Sequence, residues 1–184
     1  MPYVRVGDKL VSRDKIMRTV DKILERRSTG MSQQEVAYEM NIDRSFISRI
    51  ETMGELRKGG KVALIGFPIL NKAEIESVAL EFGVDHIFLM TEEERWTWVR
   101  SKNGTELLNE IMELVATVRA FDTVILIGSN MRIKLAEALV DKQLIPIAIG
   151  ETPLREDKYV PPELLSNLLQ GLKVSAQCSV PSAQ

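Results

Sequence analysis

Thr123–Gly128 reads Thr-Val-Ile-Leu-Ile-Gly, with nothing polar between its threonine and its glycine. Three further apolar runs are Val62–Gly66, followed by Phe-Pro; Val84–Met90; and Leu144–Ile149, followed by glycine. A strand with one wet face alternates apolar and polar residues, whereas a strand apolar throughout is covered on both faces. Between these runs the apolar residues recur at helical spacing, over Lys72–Phe82 with Gly83 as a stop, over Gly104–Ala120 and over Met131–Val140. A last helix is predicted over Pro161–Leu172, with two prolines at its start, where they are tolerated. Strands alternating with helices predict a parallel sheet covered by helices on both faces, joined by right-handed crossovers. The pattern leaves the order of the strands open.

In such open sheets ligands bind beyond the carboxyl ends of the strands. Those ends are Gly66-Phe67-Pro68, Thr91-Glu92-Glu93-Glu94, Gly128-Ser129-Asn130 and Gly150-Glu151-Thr152. The most suggestive is Ile127-Gly-Ser-Asn-Met-Arg132. A glycine turn at a helix start presents backbone N–H groups that suit an anion, and Arg132 adds charge. It is neither Gly-x-Gly-x-x-Gly nor a Walker loop, and the plain alternative is a strand-to-helix turn capped by Ser129 or Asn130. Gly66, Phe67, Gly128, Ser129, Asn130 and Arg132 are the candidate residues for a small anionic effector. Thr91 and Glu94 are spaced as a capping box, so a short helix is expected over the segment that holds both tryptophans, Trp96 and Trp98. That segment is either a ligand or dimer contact or a lid packing its tryptophans on the sheet. His86, inside a strand run, reads as a core or edge residue. With one histidine and one cysteine, Cys178, no metal-ligand cluster, internal disulfide or nucleophile–base pair can be read, so no cofactor and no enzyme are expected.

The head of the chain is different. Residues 1–11 alternate around Gly7-Asp8, as a small hairpin or an extended arm does. Ile16, Val20, Ile23 and Leu24 give residues 13–27 a helical stripe, with Ser12 as cap and Gly30 as stop. Arg26 and Arg27 close it, facing either a phosphate or the helix's own carboxyl end. Over Ser32–Glu51 two short helices are predicted. Ser32 and Glu35 form a capping box, and Val36, Ala37 and Met40 give the first helix its apolar face. Asn41 falls at the turn and tolerates left-handed backbone. Ile42 plugs the corner, Asp43 caps the second helix, and Phe46, Ile47 and Ile50 are its expected inner face. Arg44, Ser45, Ser48, Arg49 and Thr52 form its outer face, all able to donate hydrogen bonds.

This stretch resembles the helix-turn-helix of the phage-repressor (Cro/C1, or XRE) type of transcriptional regulator. The matching residues are Gln33 at the start, the small Ala37 four places on, Ile47 and Ile50 in the core, and Ser-Phe-Ile-Ser-Arg-Ile-Glu at 45–51. The turn departs from the family's usual glycine, with Asn41 keeping the left-handed capacity. The resemblance covers the N-terminal part alone. It implies double-stranded DNA as partner, with Arg44, Ser45, Ser48 and Arg49 near base edges in the major groove, Thr52 on the same DNA-binding face, and Gln33 and Gln34 anchored to phosphate. It also implies a homodimer on two half-sites.

Composition fits a soluble globular protein: 45% hydrophobic and 27% charged residues, with no apolar run of membrane-spanning length. No signal-peptide core is seen, and a cytoplasmic location with no membrane partner is expected. The net charge of −2 hides an asymmetry. Residues 1–61 carry 13 Lys/Arg against 9 Asp/Glu, and residues 62–184 carry 11 against 17, a basic head on an acidic body. Met53–Lys61, with three glycines and three cations, reads as a linker, or as one whose Arg57, Lys58 and Lys61 touch the DNA backbone.

The expected fold class is therefore α/β. An all-α helix-turn-helix domain over 1–53 precedes a glycine/basic linker over 54–61. A small Rossmann-like or flavodoxin-like domain with a parallel four-stranded sheet covers 62–173, and a disordered tail 174–184. The expected function is sequence-specific transcriptional regulation, the α/β part dimerising, sensing a small molecule, or both. The rival is a small α/β enzyme or a nucleotide- or phosphometabolite-binding protein with a helical adaptor head.

Overall fold

The computed structural model describes residues 3–56 and 59–173. Arg57, Lys58 and the tail from 174 on, with Cys178, lie outside the described residues, as do the expectations attached to them. The chain divides into two units, Met1–Glu55 and Leu56–Gln184, and the division falls inside the stretch read as a linker.

The first unit opens with an antiparallel hairpin, β1 (Tyr3–Val6) and β2 (Lys9–Ser12), turned by Gly7 at a φ of 60°. Three helices follow: α1 (Arg13–Ser28), α2 (Gln33–Met40) and α3 (Arg44–Gly54). Their ends are set by side chains. The Ser12 hydroxyl accepts from the Lys15 N–H, and Ser32 and Glu35 complete a reciprocal capping box. Asn41 ends α2 in the left-handed region, at φ 50° and ψ 50°, and the Asp43 carboxylate accepts the Ser45 N–H at 2.6 Å to start α3. Ile23, Val36, Ala37 and Ile47 are buried together, fringed by Met31, Met40, Ile42 and Ile50. Phe46, expected on the inner face, is instead 43% exposed, beside Leu10, Lys15 and Ile16. The reason is helical geometry: a stripe centred on Ile47 and Ile50 leaves the neighbouring position about 100° away at its edge.

The second unit runs β3 (Val62–Gly66), α4 (Lys72–Glu81), β4 (His86–Leu89), α5 (Glu92–Arg100), α6 (Gly104–Val118), β5 (Thr123–Gly128), α7 (Asn130–Leu139), β6 (Gln143–Ala148) and α8 (Pro162–Lys173). The four strands form one parallel sheet in the order β4-β3-β5-β6. Alternation sends successive apolar residues to opposite faces. Leu64, Ile125, Ile127, Ile145 and Ile147 meet Ile75 and Ala79 of α4 and Leu165, Leu169 and Leu172 of α8. Ile65, Val124 and Leu126 meet Leu114 and Val118 of α6 and Ile133 and Ala136 of α7. Both faces are covered, which is why these strands are apolar throughout. Pro146 is tolerated because β6 is an edge strand.

Residues 59–61 are tied to this unit. The Gly59 N–H donates to the Leu172 carbonyl at 3.1 Å, the Lys61 N–H to the Asp122 carboxylate at 2.8 Å, and the Lys61 carbonyl accepts from Asp122 and Thr123. The glycines read as part of a linker thus extend into the sheet's edge of entry, Gly60 lying where a Cβ would come within 2.6 Å of the Asp122 carboxylate. Among the described residues no helix is long and apolar enough to cross a membrane.

Candidate functional site

Candidate side chains gather at two places, one in each unit. In the first unit, burial of Ile47 turns the opposite side of α3 outward. Arg44, Ser45, Arg49 and Thr52 are exposed and Ser48 is half-buried, with Gln34 exposed on α2. The Thr52 hydroxyl donates to the Ser48 carbonyl at 2.9 Å. The Arg44 guanidinium reaches the Gln33 side-chain oxygen at 3.4 Å. Tyr38, on α2 beside Gln34 and Arg44, is 91% exposed.

Gln33 has a second contact that the sequence did not announce. Its amide donates to the Glu51 carboxylate at 2.7 Å, and the other Glu51 oxygen accepts from Arg27 Nε at 2.5 Å. Glu51 therefore clasps α1, α2 and the end of α3. Hydrogen bonds from Arg27 and then from Gln33 hold its carboxyl below the ordinary value of 4.5. Arg27 also donates to the Met31 carbonyl, and Arg26 pairs with Glu39 of α2. Both arginines, read as facing phosphate or the helix end, are spent on holding the three helices together.

In the second unit, the crossovers leave β3 and β5 in opposite directions, which places the topological switch point between Gly66 and Gly128. The turn after β5 is filled by its own chain. The Asn130 N–H donates to the Gly150 carbonyl at 3.0 Å, the Asn130 side-chain oxygen accepts from the Met131 and Thr152 N–H groups, and the Thr152 hydroxyl donates to the buried Ser129 hydroxyl at 2.7 Å. Ser129 occupies the N-cap position of α7 but makes no side-chain cap bond. Gly66 does not leave room for a ligand either: a Cβ there would lie 2.5 Å from Ile69 Cδ1 and 3.1 Å from Ile127 Cβ. The Asn130 and Met131 N–H groups that an anion would use are thus engaged, by the Gly150 carbonyl and by the Asn130 side chain.

Phe67 and Arg132, from the same candidate set, do come together, on the side of the sheet that carries α5, α6 and α7. Arg132 Nη1 donates to the Phe67 carbonyl at 3.2 Å, and its guanidinium lies 4.6 Å from the centre of the Phe67 ring. Beside them lies a cavity of about 360 Å³, lined by apolar side chains that include Phe67, Phe88, Trp98, Leu114, Leu126 and Ala136. Two cations, Arg95 and Arg132, also line it. Glu92 is the carboxylate at this end. It is bound by Arg95 through Nε at 2.9 Å and Nη2 at 2.5 Å, and it accepts Trp96 Nε1 at 2.8 Å. The Arg95 hydrogen bonds, then Trp96, keep Glu92 below the usual carboxylate range against the effect of burial. No carboxylate among the described residues pairs directly with Arg132. Burial first, and the nearby Arg95 charge second, make its protonated form less favourable than in water, with Glu92 opposing at longer range.

The Glu92–Trp98 segment forms α5, started by the Thr91–Glu94 capping box and anchored by Lys72, whose ammonium meets Glu94 at 2.8 Å. Asp157 accepts the Glu92 N–H at 2.6 Å. Trp98 packs edge-on against Phe88 of β4, ring centres 6.5 Å apart, while Trp96 is 42% exposed between Arg95 and Arg100. One tryptophan thus packs toward the sheet as a lid does, and the other does not. Sequence reasoning flagged this segment but missed Arg95 and Phe88 as cavity residues. Their convergence depends on strand order, for which a single sequence carries no signal. Compared with protein-family models, with curated proteins and with solved structures, the chain matches none.

Proposed function

We propose that the protein is a sequence-specific DNA-binding transcriptional regulator that acts as a homodimer. The first unit reads the duplex with the outer face of α3, and the second unit holds two copies together and senses a small molecule. The observation that carries this reading is the α2–turn–α3 pair. A left-handed Asn41 and the buried cluster that holds Ala37 and Ile47 set a helix whose exposed side offers Arg44, Ser45 and Arg49 as donors, with the Thr52 hydroxyl beside them turned to the Ser48 carbonyl. Such a helix fits the major groove, where arginine recognises guanine in bidentate fashion. The Gln33–Glu51–Arg27 clasp supports it too, since side chains that read bases need a rigid frame. Gln33 then anchors to phosphate only with its free capacity, and Gln34, exposed, is the better phosphate contact. Apolar side chains open to solvent on α6, Leu108 and Met112 at 59% and 61% exposure, support a contact between copies through the second unit.

The test is selection of bound duplexes from a random library with the full chain, followed by gel-shift titration of the winning sequence. Two symmetric half-sites about 34 Å apart are expected. Arg44→Ala with Arg49→Ala is expected to abolish specific binding, each lost base contact costing about 1–3 kcal/mol. Full affinity in the double variant, or no enriched sequence at low salt, refutes the reading.

A further inference from the structure

The cavity between α5, α6, α7 and the sheet has a composition that names an occupant. Its wall is apolar on every element that contributes to it, and at one end stand two guanidinium groups. Arg95 is satisfied: Glu92 takes two of its N–H groups. Glu92 is committed to its own helix in turn, with Trp96 as its third donor. Arg132 is not. Among the described residues it has one carbonyl and one aromatic face, and its Nε–H and Nη2 groups meet no acceptor. Half-buried cations without a carboxylate are costly and are seldom kept for stability alone. The volume of about 360 Å³ sits at the lower end of the range for small-molecule sites, roughly 300–1,000 Å³.

We propose that this cavity binds a small amphiphilic acid, its carboxylate paired with Arg132 and its apolar body lying between Trp98, Leu114, Leu126 and Ala136. The chemistry follows from both ends. A carboxylate supplies two acceptors for the planar fork of a guanidinium and balances the surplus charge. The body replaces solvent on a surface that offers it no polar partner, a gain of roughly 25 cal/mol per Å² of apolar area covered. A neutral apolar molecule leaves Arg132 unpaired. A phosphorylated metabolite places hydroxyls against hydrocarbon. A helix of a second copy fills the opening from outside, and its occupancy follows protein concentration, which the test below reads. The proposal names the ligand class of the sensing role above and rests on that reading only for its regulatory consequence, not for occupancy.

Trp98 lines the cavity and Trp96 lies against Arg95, which also lines it, so intrinsic emission reports binding without a label. The full chain is titrated with decanoate, decanol and decylamine, all below their aggregation limits. Decanoate is expected to change the emission saturably, with decanol and decylamine at least tenfold weaker. Arg132→Gln is expected to bring decanoate down to the decanol level, and Ala136→Phe, which fills the cavity, to abolish both in a chain whose circular dichroism is unchanged. Equal affinity for decanoate and decanol in the unaltered protein overturns the proposal whatever the variants do. So does an emission change that follows protein concentration in sedimentation runs without ligand, since a second copy then fills the groove. A gel-shift titration with and without decanoate separates the two readings: saturable binding with unaltered DNA affinity keeps the site and removes the sensing role.

Discussion

Arg132 donates to the Phe67 carbonyl and lies over the ring of the same residue, so one side chain from the first turn of α7 bridges to the chain just beyond β3 at the point where the crossovers diverge. The contact joins two of the strand ends at which an open sheet takes its ligands. Its stabilising parts are modest: a hydrogen bond worth about 1 kcal/mol and a cation–π contact of about 0.5–1 kcal/mol. Against them stands the cost of holding the cation half out of water with no carboxylate beside it. The balance is near zero. Arg132→Met, which keeps the length and drops the charge, is expected to change the unfolding free energy by less than about 1 kcal/mol in urea denaturation. A loss above about 3 kcal/mol makes Arg132 a structural clasp and takes away the argument that its charge is kept for a ligand.

Two strand-end glycines that look alike in the sequence behave differently in the fold. A Cβ on Gly66 lands 2.5 Å from Ile69 Cδ1, 3.0 Å from Leu89 Cδ2 and 3.1 Å from Ile127 Cβ, inside a packed core. A Cβ on Gly128 meets nothing nearer than Arg132 Cβ at 3.7 Å. Gly66→Ala is therefore expected to destabilise by about 1–3 kcal/mol through overpacking. Gly128→Ala is expected to be neutral, or stabilising by up to about 1 kcal/mol, because it restricts the unfolded chain. Denaturation midpoints of the two variants decide this. Similar losses in both mean that the close approach at Gly66 does not matter.

Glu51 gives the first unit an acid-sensitive joint. Arg27 and Gln33 hold its carboxyl below the ordinary 4.5, so the folded state favours the charged form. A depressed carboxylate pKa contributes stability that is fully present above the unfolded value and fades as pH falls through the folded one. Glu51→Gln is expected to cost about 1–3 kcal/mol at pH 7, from the lost charge-assisted hydrogen bonds. The difference between variant and parent is expected to shrink as pH drops below 4.5, once the parent carboxyl is protonated too. A gap that is constant from pH 7 down to strong acid shows that packing, and not ionisation, is what Glu51 supplies.

What was legible in the sequence was whatever rests on neighbours along the chain. The capping pairs Ser32–Glu35 and Thr91–Glu94 lie three residues apart and form as read. Asn41 had the side chain for a left-handed turn and adopts it. Apolar strands alternating with helices were enough for a parallel sheet covered on both faces, because every residue of β5 had to find an apolar neighbour on one side or the other. The misreadings concern contacts distant in sequence. Phe46 shares a helix with Ile47 and differs from it only in angle. In the turn after β5 the Asn130 N–H is taken by the Gly150 carbonyl, and the Ser129 and Asn130 side-chain oxygens accept from Thr152, some twenty residues on. Arg95, Phe88 and Trp98 line one cavity with Arg132 only because β4, β3 and β5 lie side by side, and that order is written in the crossovers, not in any local pattern.

Asn41 offers the sharpest check on how α3 is aimed. At φ 50° and ψ 50° it is the one described non-glycine residue with positive φ, and its N–H caps α2 through the Ala37 and Tyr38 carbonyls. The next N–H, from Ile42, also turns back to the Ala37 carbonyl at 3.0 Å, closing the corner against the smallest residue of α2. Glycine adopts this conformation freely, whereas a β-branched residue is strained there by about 1–3 kcal/mol. Asn41→Gly is thus expected to stay within about 1 kcal/mol of the parent and to keep its DNA affinity, because the corner keeps its shape. Asn41→Val is expected to lose about 1–3 kcal/mol, relieving its strain by opening the corner and tilting Arg44 and Arg49 away from the duplex proposed for them. Denaturation followed by far-ultraviolet circular dichroism gives the first quantity and gel-shift titration the second. If valine binds DNA as tightly as glycine while losing stability, the turn is a matter of folding alone and the aim of α3 is set elsewhere, with the Gln33–Glu51 clasp the next place to cut.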